Sequence, residues 1–325
     1  MNNCTAKGTF LCECTGSAFV AGNTVSLEFI WPGPAPRAGQ FFLIKPRRTG
    51  VFLGRPVSVA GWKPRGTKIS DEPVDPSASI DPSGSIDPGA DENSSRRIKV
   101  DRRINTKGRV DIDRRLNTDR RLIGGGILRF LVVRRGGGSR ELVDLRPGEQ
   151  AELTGPLGNF WAHVNTFTTN SPDVTGKISG DMIALVGGGV GIAPLVAYAA
   201  ELGKKPFDFY AGFRTGSFGL EHVNPKSLII ATEDGSQGIK GQILDFFSPS
   251  GYGAVFACGP EPMLKSVADA CIMNEVPCFI SIERHMACGV GACLGCTVKT
   301  TRGNRRCCSD GPIFNAEEVL FDEST

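Results

Sequence analysis

Cys288, Cys293 and Cys296 form a C-x4-C-x2-C run, and Cys307-Cys308 follow, just before Ser309-Asp310-Gly311-Pro312. That is the spacing of plant-type [2Fe–2S] ligation, in which four thiolates converge on two irons. Zinc also takes four thiolates, but its structural sites use two close C-x2–4-C pairs, so the spacing favours iron. The loop from Cys288 to Cys293 must turn its backbone N–H groups toward the cluster sulfides. Gly289, Gly291 and Gly295 allow so tight a turn, because glycine tolerates positive φ. The fourth ligand is open on spacing alone. Residues 297–300 read as a strand, Arg302-Gly303-Asn304 as a turn, and the chain returns extended. Neighbouring side chains on an extended segment face opposite sides, so only one of Cys307 and Cys308 can reach the cluster.

Three other stretches could handle phosphate or a flavin. Arg55-Pro56-Val57-Ser58 offers a planar donor fork and a hydroxyl, though it also reads as a plain Arg-Pro turn. Gly136-Gly137-Gly138-Ser139 is a turn whose backbone could approach an anion. Gly187-Gly188-Gly189-Val190-Gly191-Ile192-Ala193-Pro194 follows a buried apolar strand and opens a helix. Strand, glycine turn and helix make the dinucleotide arrangement, with phosphate at the helix N-terminus. Gly189 and Gly191 fit its fingerprint; Pro194 stands in place of the third glycine and suits a first helical turn. Cys258-Gly259-Pro260 ends a later strand, where ligands bind in such sheets, so Cys258 reads either as a nicotinamide contact or as a buried thiol.

These groups need elements to hold them. Short β-rich runs at 8–14, 24–31, 40–45, 127–134 and 150–154, with no helical period among the first three, predict a small antiparallel barrel. It closes near Phe160, and 170–180 reads as a polar linker. Residues 66–125 interrupt the barrel with Asp-Pro-Ser units and then Asp-Arg-Arg repeats, acidic first and basic second. So few apolar residues cannot offset chain entropy, which predicts a solvated insertion rather than a nucleic-acid or membrane patch. Strands at 182–186, 207–212, 227–232 and 254–258, with a helix at 195–202, predict a parallel doubly wound sheet. The expected domains are 1–165, 180–280 and 281–325, over a 325-residue chain.

Composition narrows the function. A net charge of +3 argues against a nucleic-acid binder, and no apolar run is long enough to span a bilayer. Of the eleven cysteines, five crowd the C-terminal region at cofactor spacing, which favours a reducing compartment. With no basic and apolar leader at the start, the expected location is cytoplasmic. Cys4, Cys12 and Cys14 read as ordinary thiols, and His163, His222 and His285 as structural or surface residues.

Together these pieces carry a family resemblance. Arg55-Pro-Val-Ser58, Gly155-Pro-Leu-Gly158, the Gly-Gly-Gly-Val-Gly-Ile-Ala-Pro turn and Cys258-Gly-Pro resemble the ferredoxin-reductase superfamily. The tail Glu283-Arg-His-Met-Ala-Cys288 through Cys296, then Cys308-Ser-Asp-Gly-Pro312, is similar to the electron-transfer subunits of dihydroorotate dehydrogenase B. The resemblance implies FAD on the barrel, NAD on the sheet domain and a [2Fe–2S] cluster in the C-terminal lobe. It implies that Arg55 to Ser58 hold the flavin, that Val132, Val133 and Arg134 line it, and that Gly138 and Ser139 meet its phosphates. It selects Cys308, with Cys288, Cys293 and Cys296, as ligand. It also implies a partner subunit carrying FMN that oxidises dihydroorotate, in a heterotetramer of two copies each. The long insertion and a Ser at position 139, where Thr is usual, depart from the family. Arg214 could take a 2′-phosphate, whereas Glu233 and Asp234 could take a ribose hydroxyl, so NAD and NADP both stay open. Two rival readings are a flavin–iron–sulfur reductase subunit of a hydrogenase or transhydrogenase complex, and a zinc-bound interaction module without flavin.

Overall fold

The computed structural model describes residues 8–47, 50, 53–65, 125–161 and 182–321. Cys4, His163, the linker and the insertion, save Gly125, lie outside them.

Six antiparallel strands close a barrel in the order β1-β2-β5-β4-β3-β6. They are β1 (Gly8–Ala21), β2 (Thr24–Trp31), β3 (Phe41–Pro46), β4 (Arg55–Pro64), β5 (Gly126–Val133) and β6 (Gln150–Leu157). Period-2 alternation puts one side of each strand inward, and aromatic rings fill the interior. Trp31 stacks edge-on against Phe42 at 4.9 Å, and Phe42 against Phe130 at 5.7 Å. Such contacts add about 0.5–1.5 kcal/mol each beyond burial. Position 155 has no room for a side chain, since a Cβ there would lie 2.3 Å from the Phe42 ring. Arg55 to Ser58 thus stand on β4, not on a turn after β3, because the ladder Ile44↔Arg55 to Phe41↔Ser58 pairs them with β3. The stretch 136–145 differs as well. In place of a glycine turn at 136–139 the chain forms α1 (Gly137–Val143), whose Leu142 is fully buried in the barrel core.

The second layer is a seven-stranded sheet in the order β10-β9-β8-β7-β11-β12-β15. Its strands are β7 (Ile183–Gly188), β8 (Phe207–Phe213), β9 (Ser227–Thr232), β10 (Ile239–Lys240), β11 (Ala254–Cys258), β12 (Cys278–Ser281) and β15 (Ile313–Asn315). Every pairing is parallel except β12 with β15. Along β7, Ile183 and Leu185 join one core with Leu195 and Tyr198 of α2 (Ile192–Leu202). Ala184 and Val186 join another with Leu264 and Val267 of α3 (Glu261–Met273). One helix on each face makes the sheet doubly wound. Helix α2 begins three residues earlier than the sequence reading placed it, with Pro194 inside its first turn, where no backbone donor is needed. Helix α3 and β12 lie outside that reading altogether.

The C-terminal lobe holds the hairpin of β13 (Thr297–Thr300) and β14 (Gly303–Arg306), and then supplies β15 to the sheet edge.

Candidate cofactor sites

A cleft of about 200 Å³ opens where barrel and sheet meet. Arg55, Pro56, Val57 and Ser58 form one wall, with Leu131, Val132 and Val133 of β5 beside them. Arg135, Ser139 and Leu142 come from the start and body of α1, Val190 and Ala193 from the sheet domain, and Glu283 from the arm after β12. The Arg55 side chain lies directly across Gly138, where a Cβ would fall 1.8 Å from Arg55 Nε. Only glycine lets the guanidinium lie flat over this turn, an arrangement that suits a planar donor fork above backbone N–H groups.

Two expected members stand differently. Arg134 pairs with Asp144 outside the cleft, and Arg135 takes the place beside the cavity. The chain leaves the β5 pleat at Val133, so strand alternation no longer governs the next two side chains. Ser139 lines the cleft, but its hydroxyl is engaged locally. It accepts from Arg135 N at 2.8 Å and Gly136 N at 2.9 Å, and donates to Gly136 O at 3.0 Å. It therefore shapes the turn that carries Gly138. Glu283 faces the cleft from its solvent-exposed rim, with Arg135 also lining it.

In the glycine turn after β7, roles divide. A Cβ at 187 would meet Ile192 Cγ2 at 2.8 Å, and one at 191 would meet Cys258 O at 2.5 Å, so these two glycines permit close packing. Gly189 has φ +54° and open space around it, so here a ligand could approach the backbone. Cys258 is 2% exposed, bonded to the Ser281 side chain, and its thiol is pushed up by burial; it belongs to the core behind the turn. At the ends of β8 and β9, Arg214 is exposed, while Asp234 accepts from Ser236 N at 2.9 Å and Ser236 Oγ at 2.6 Å. Those bonds hold its carboxyl below the usual range.

The cysteines group in pairs. Cys296 Sγ and Cys308 Sγ are 3.3 Å apart, and Cys293 N donates to Cys288 Sγ at 3.4 Å. Two thiolates per iron is what a two-iron cluster requires. The loop turns its donors inward, as its glycines require. Gly291 N donates to Cys308 Sγ at 3.1 Å, and the N–H groups of Val290 and Cys293 lower the Cys288 thiol to about 6. Burial instead pushes Cys308 up to about 12. Gly289 and Gly291 take positive φ, but at the third turn it is Leu294 (φ +59°), not Gly295, that does so. Cys307 and Cys308 sit in a turn after β14 rather than on a strand, yet they diverge all the same. Cys307 Sγ donates to Ile282 O at 2.9 Å, away from Cys308.

Arg135, Val190, Ala193 and Glu283 escaped the sequence reading. Val190 and Ala193 lie inside a motif already marked for phosphate, and Glu283 heads the tail motif that leads to Cys288; only Arg135 belongs to no motif. His222 and His285 are exposed and line neither site.

Residues 283–320 match the family model described as the iron–sulfur cluster binding domain of dihydroorotate dehydrogenase B. A dihydroorotate dehydrogenase B (NAD(+)) electron transfer subunit of Clostridium acetobutylicum is 41% identical over 198 residues, covering 60% of this chain and 75% of the relative. That of Clostridium perfringens is 38% identical over 205 residues, covering 61% and 78%. Among solved structures, an NADH-dependent reduced ferredoxin-NADP oxidoreductase studied for flavin-based electron bifurcation shares the fold. It has a TM-score of 0.61 at 22% identity, over 97% of this chain and 92% of that one. The glycine-lined cleft, the paired thiols and this extent of identity place the chain in the family of dihydroorotate dehydrogenase B electron-transfer subunits.

Proposed function

We propose that the chain carries electrons from dihydroorotate oxidation to NAD+, through a [2Fe–2S] cluster and FAD. One observation carries this reading: the cleft and the cysteine loop share a wall. Arg55 and Pro56 pair with Ile44 and Leu43 of β3, and a Cβ on Gly289 would meet Leu43 Cδ1 at 2.7 Å. The cleft and the thiol loop therefore flank two adjacent strands. When bound, FAD supplies the exchange between hydride and single electrons.

The chain's own residues do the rest. Arg55 and the Gly138 turn hold the flavin phosphates, while Pro56, Val57, Ser58, Val132 and Val133 line its ring. Gly187, Gly189 and Gly191 shape the NAD turn, with Cys258 packed behind it. Cys288, Cys293, Cys296 and Cys308 hold the cluster. The partner is a catalytic subunit carrying FMN, assembled as two copies of each chain. NAD rather than NADP follows the relatives' shared name and the two acids at Glu233 and Asp234. Among the described residues no helix is long and apolar enough to cross a membrane, and we place the complex in the cytoplasm.

The visible spectrum of the purified protein is the test. Flavin bands with a broad iron–sulfur shoulder are expected. A colourless protein would overturn the reading and favour a zinc-bound module.

A further inference from the structure

Asn159 stands between the barrel and the turn that carries the fourth cysteine. Its Nδ2 donates to Asp310 O at 3.1 Å and to Ile313 O at 2.8 Å, while its Oδ1 accepts from Ile313 N at 3.0 Å. Its backbone N donates to Gly311 O at 2.6 Å. One side chain thus uses both kinds of group on a single four-residue stretch.

Each end of this joint is held in turn. On the barrel side, Gln40 Nε2 donates to Gly158 O at 3.2 Å, and Trp161 N to Ala38 O at 2.9 Å. Gly158 has φ +76°, and a Cβ there would lie 2.6 Å from Pro312 Cδ, so the two backbones touch. On the cluster side, the Asp310 carboxylate accepts from Arg306 N at 2.7 Å and pairs with Arg306 Nη2 at 3.1 Å. Asp310 so closes the turn that presents Cys307 and Cys308. A continuous set of hydrogen bonds therefore runs from barrel residues 38–40, through Asn159, to the turn of Cys308.

We propose that Asn159 is a positioning residue, which fixes the Cys308 turn on the flavin barrel and so sets the flavin-to-cluster approach. The inference rests on the electron-transfer reading above. Electron tunnelling falls steeply with distance and with loss of a rigid path. Hydride exchange at the cleft does not pass through Asn159, which is absent from the cleft wall. Asn159→Asp keeps the acceptor toward Ile313 N but loses both donors and sets a charge against two carbonyls. Asn159→Ala loses all three side-chain bonds.

The full-length chain and both variants, with flavin and iron bound, are mixed with NADH. Dye reduction should stay within about twofold of the parent, while bleaching of the cluster slows about tenfold, because a shared geometry rather than the hydride site is lost. The electron spin resonance line shape of the reduced cluster should also change, as hydrogen bonding and exposure around the sulfurs tune it. Amide exchange across 309–313, measured without any cofactor, should rise about tenfold while β3 and β6 stay protected. Unchanged bleaching, line shape and exchange in both variants would overturn the proposal. So would dye reduction and bleaching falling together with the thermal midpoint, which marks a general stability role. If the parent binds neither flavin nor iron, the electron-transfer reading fails, whereas the exchange result still decides whether Asn159 holds the turn.

Discussion

At Gly138 a single methyl group would displace Arg55 from the cradle proposed for the flavin phosphates. A Cβ would fall 1.8 Å from Arg55 Nε and 2.3 Å from its Cζ. Gly138→Ala must therefore push the guanidinium off its seat, which a flexible arginine can do at little cost in stability. Arg55→Ala removes the same fork without the clash. Both variants should purify with less flavin per iron than the parent, with iron content unchanged. A parental flavin-to-iron ratio in both would refute the cradle. Arg55 was legible in the sequence because Arg-Pro-Val-Ser is a donor fork with a hydroxyl three residues on, at Ser58. Arg135 and Glu283 were not, since each reaches the cleft only through tertiary placement. Arg135 depends on where β5 ends, and Glu283 on the arm that leaves β12.

Among the elements, the β4–β5 pair decides how the barrel tolerates its interruption. Lys63 pairs with Ile127 and Pro64 with Gly126, and Arg65 N donates to Gly125 O at 3.0 Å. The chain therefore leaves and re-enters the barrel on adjacent strands, at hairpin distance. Replacing 67–124 by a short Asn-Gly turn should restore a plain hairpin, since two-residue loops of that type match strand twist. The shortened protein should keep bound FAD and a thermal midpoint close to the parent. Loss of FAD would show that the removed stretch is part of the flavin site. Strands were the most legible elements: β2, β9, β11 and β13 stand where the sequence reading put them, each a β-rich run bounded by turn residues. Helix α3 went unread although Leu264, Val267, Ala268 and Cys271 hold helical spacing and are buried. Pro260 and Pro262 at its start mask the helical spacing, yet Pro262 lies in a first turn that tolerates it.

For the whole molecule, the cluster lobe is not a separate appendage. Strand β15 extends the parallel sheet, Asn159 joins the lobe to the barrel, and Gly289 rests on Leu43 and Leu157. None of this was legible, because it depends on contacts between segments far apart in the chain, such as Asn159 with Ile313. Spacing marked Cys288, Cys293 and Cys296 but left Cys307 and Cys308 open, and the placement of those two gives the sharpest test of the electron path. Cys308 Sγ faces Cys296, whereas Cys307 Sγ donates to Ile282 O. A serine at 307 can still donate to that carbonyl, so Cys307→Ser should keep iron and its spin-resonance signal. Cys308→Ser removes one of the four thiolates and should lose both. Val190 and Ala193 bring the glycine turn proposed for NADH to the cleft, away from the thiols, so the Cys308→Ser protein should still reduce a small dye from NADH. Mixed with the catalytic partner subunit, proposed to carry FMN, it should fail to couple dihydroorotate oxidation to NAD+ reduction, which Cys307→Ser sustains. If Cys307→Ser alone loses the cluster, the ligand turn is read one residue out of place. If Cys308→Ser loses the cluster yet still couples, electrons reach the flavin by another route and the conduit is wrong.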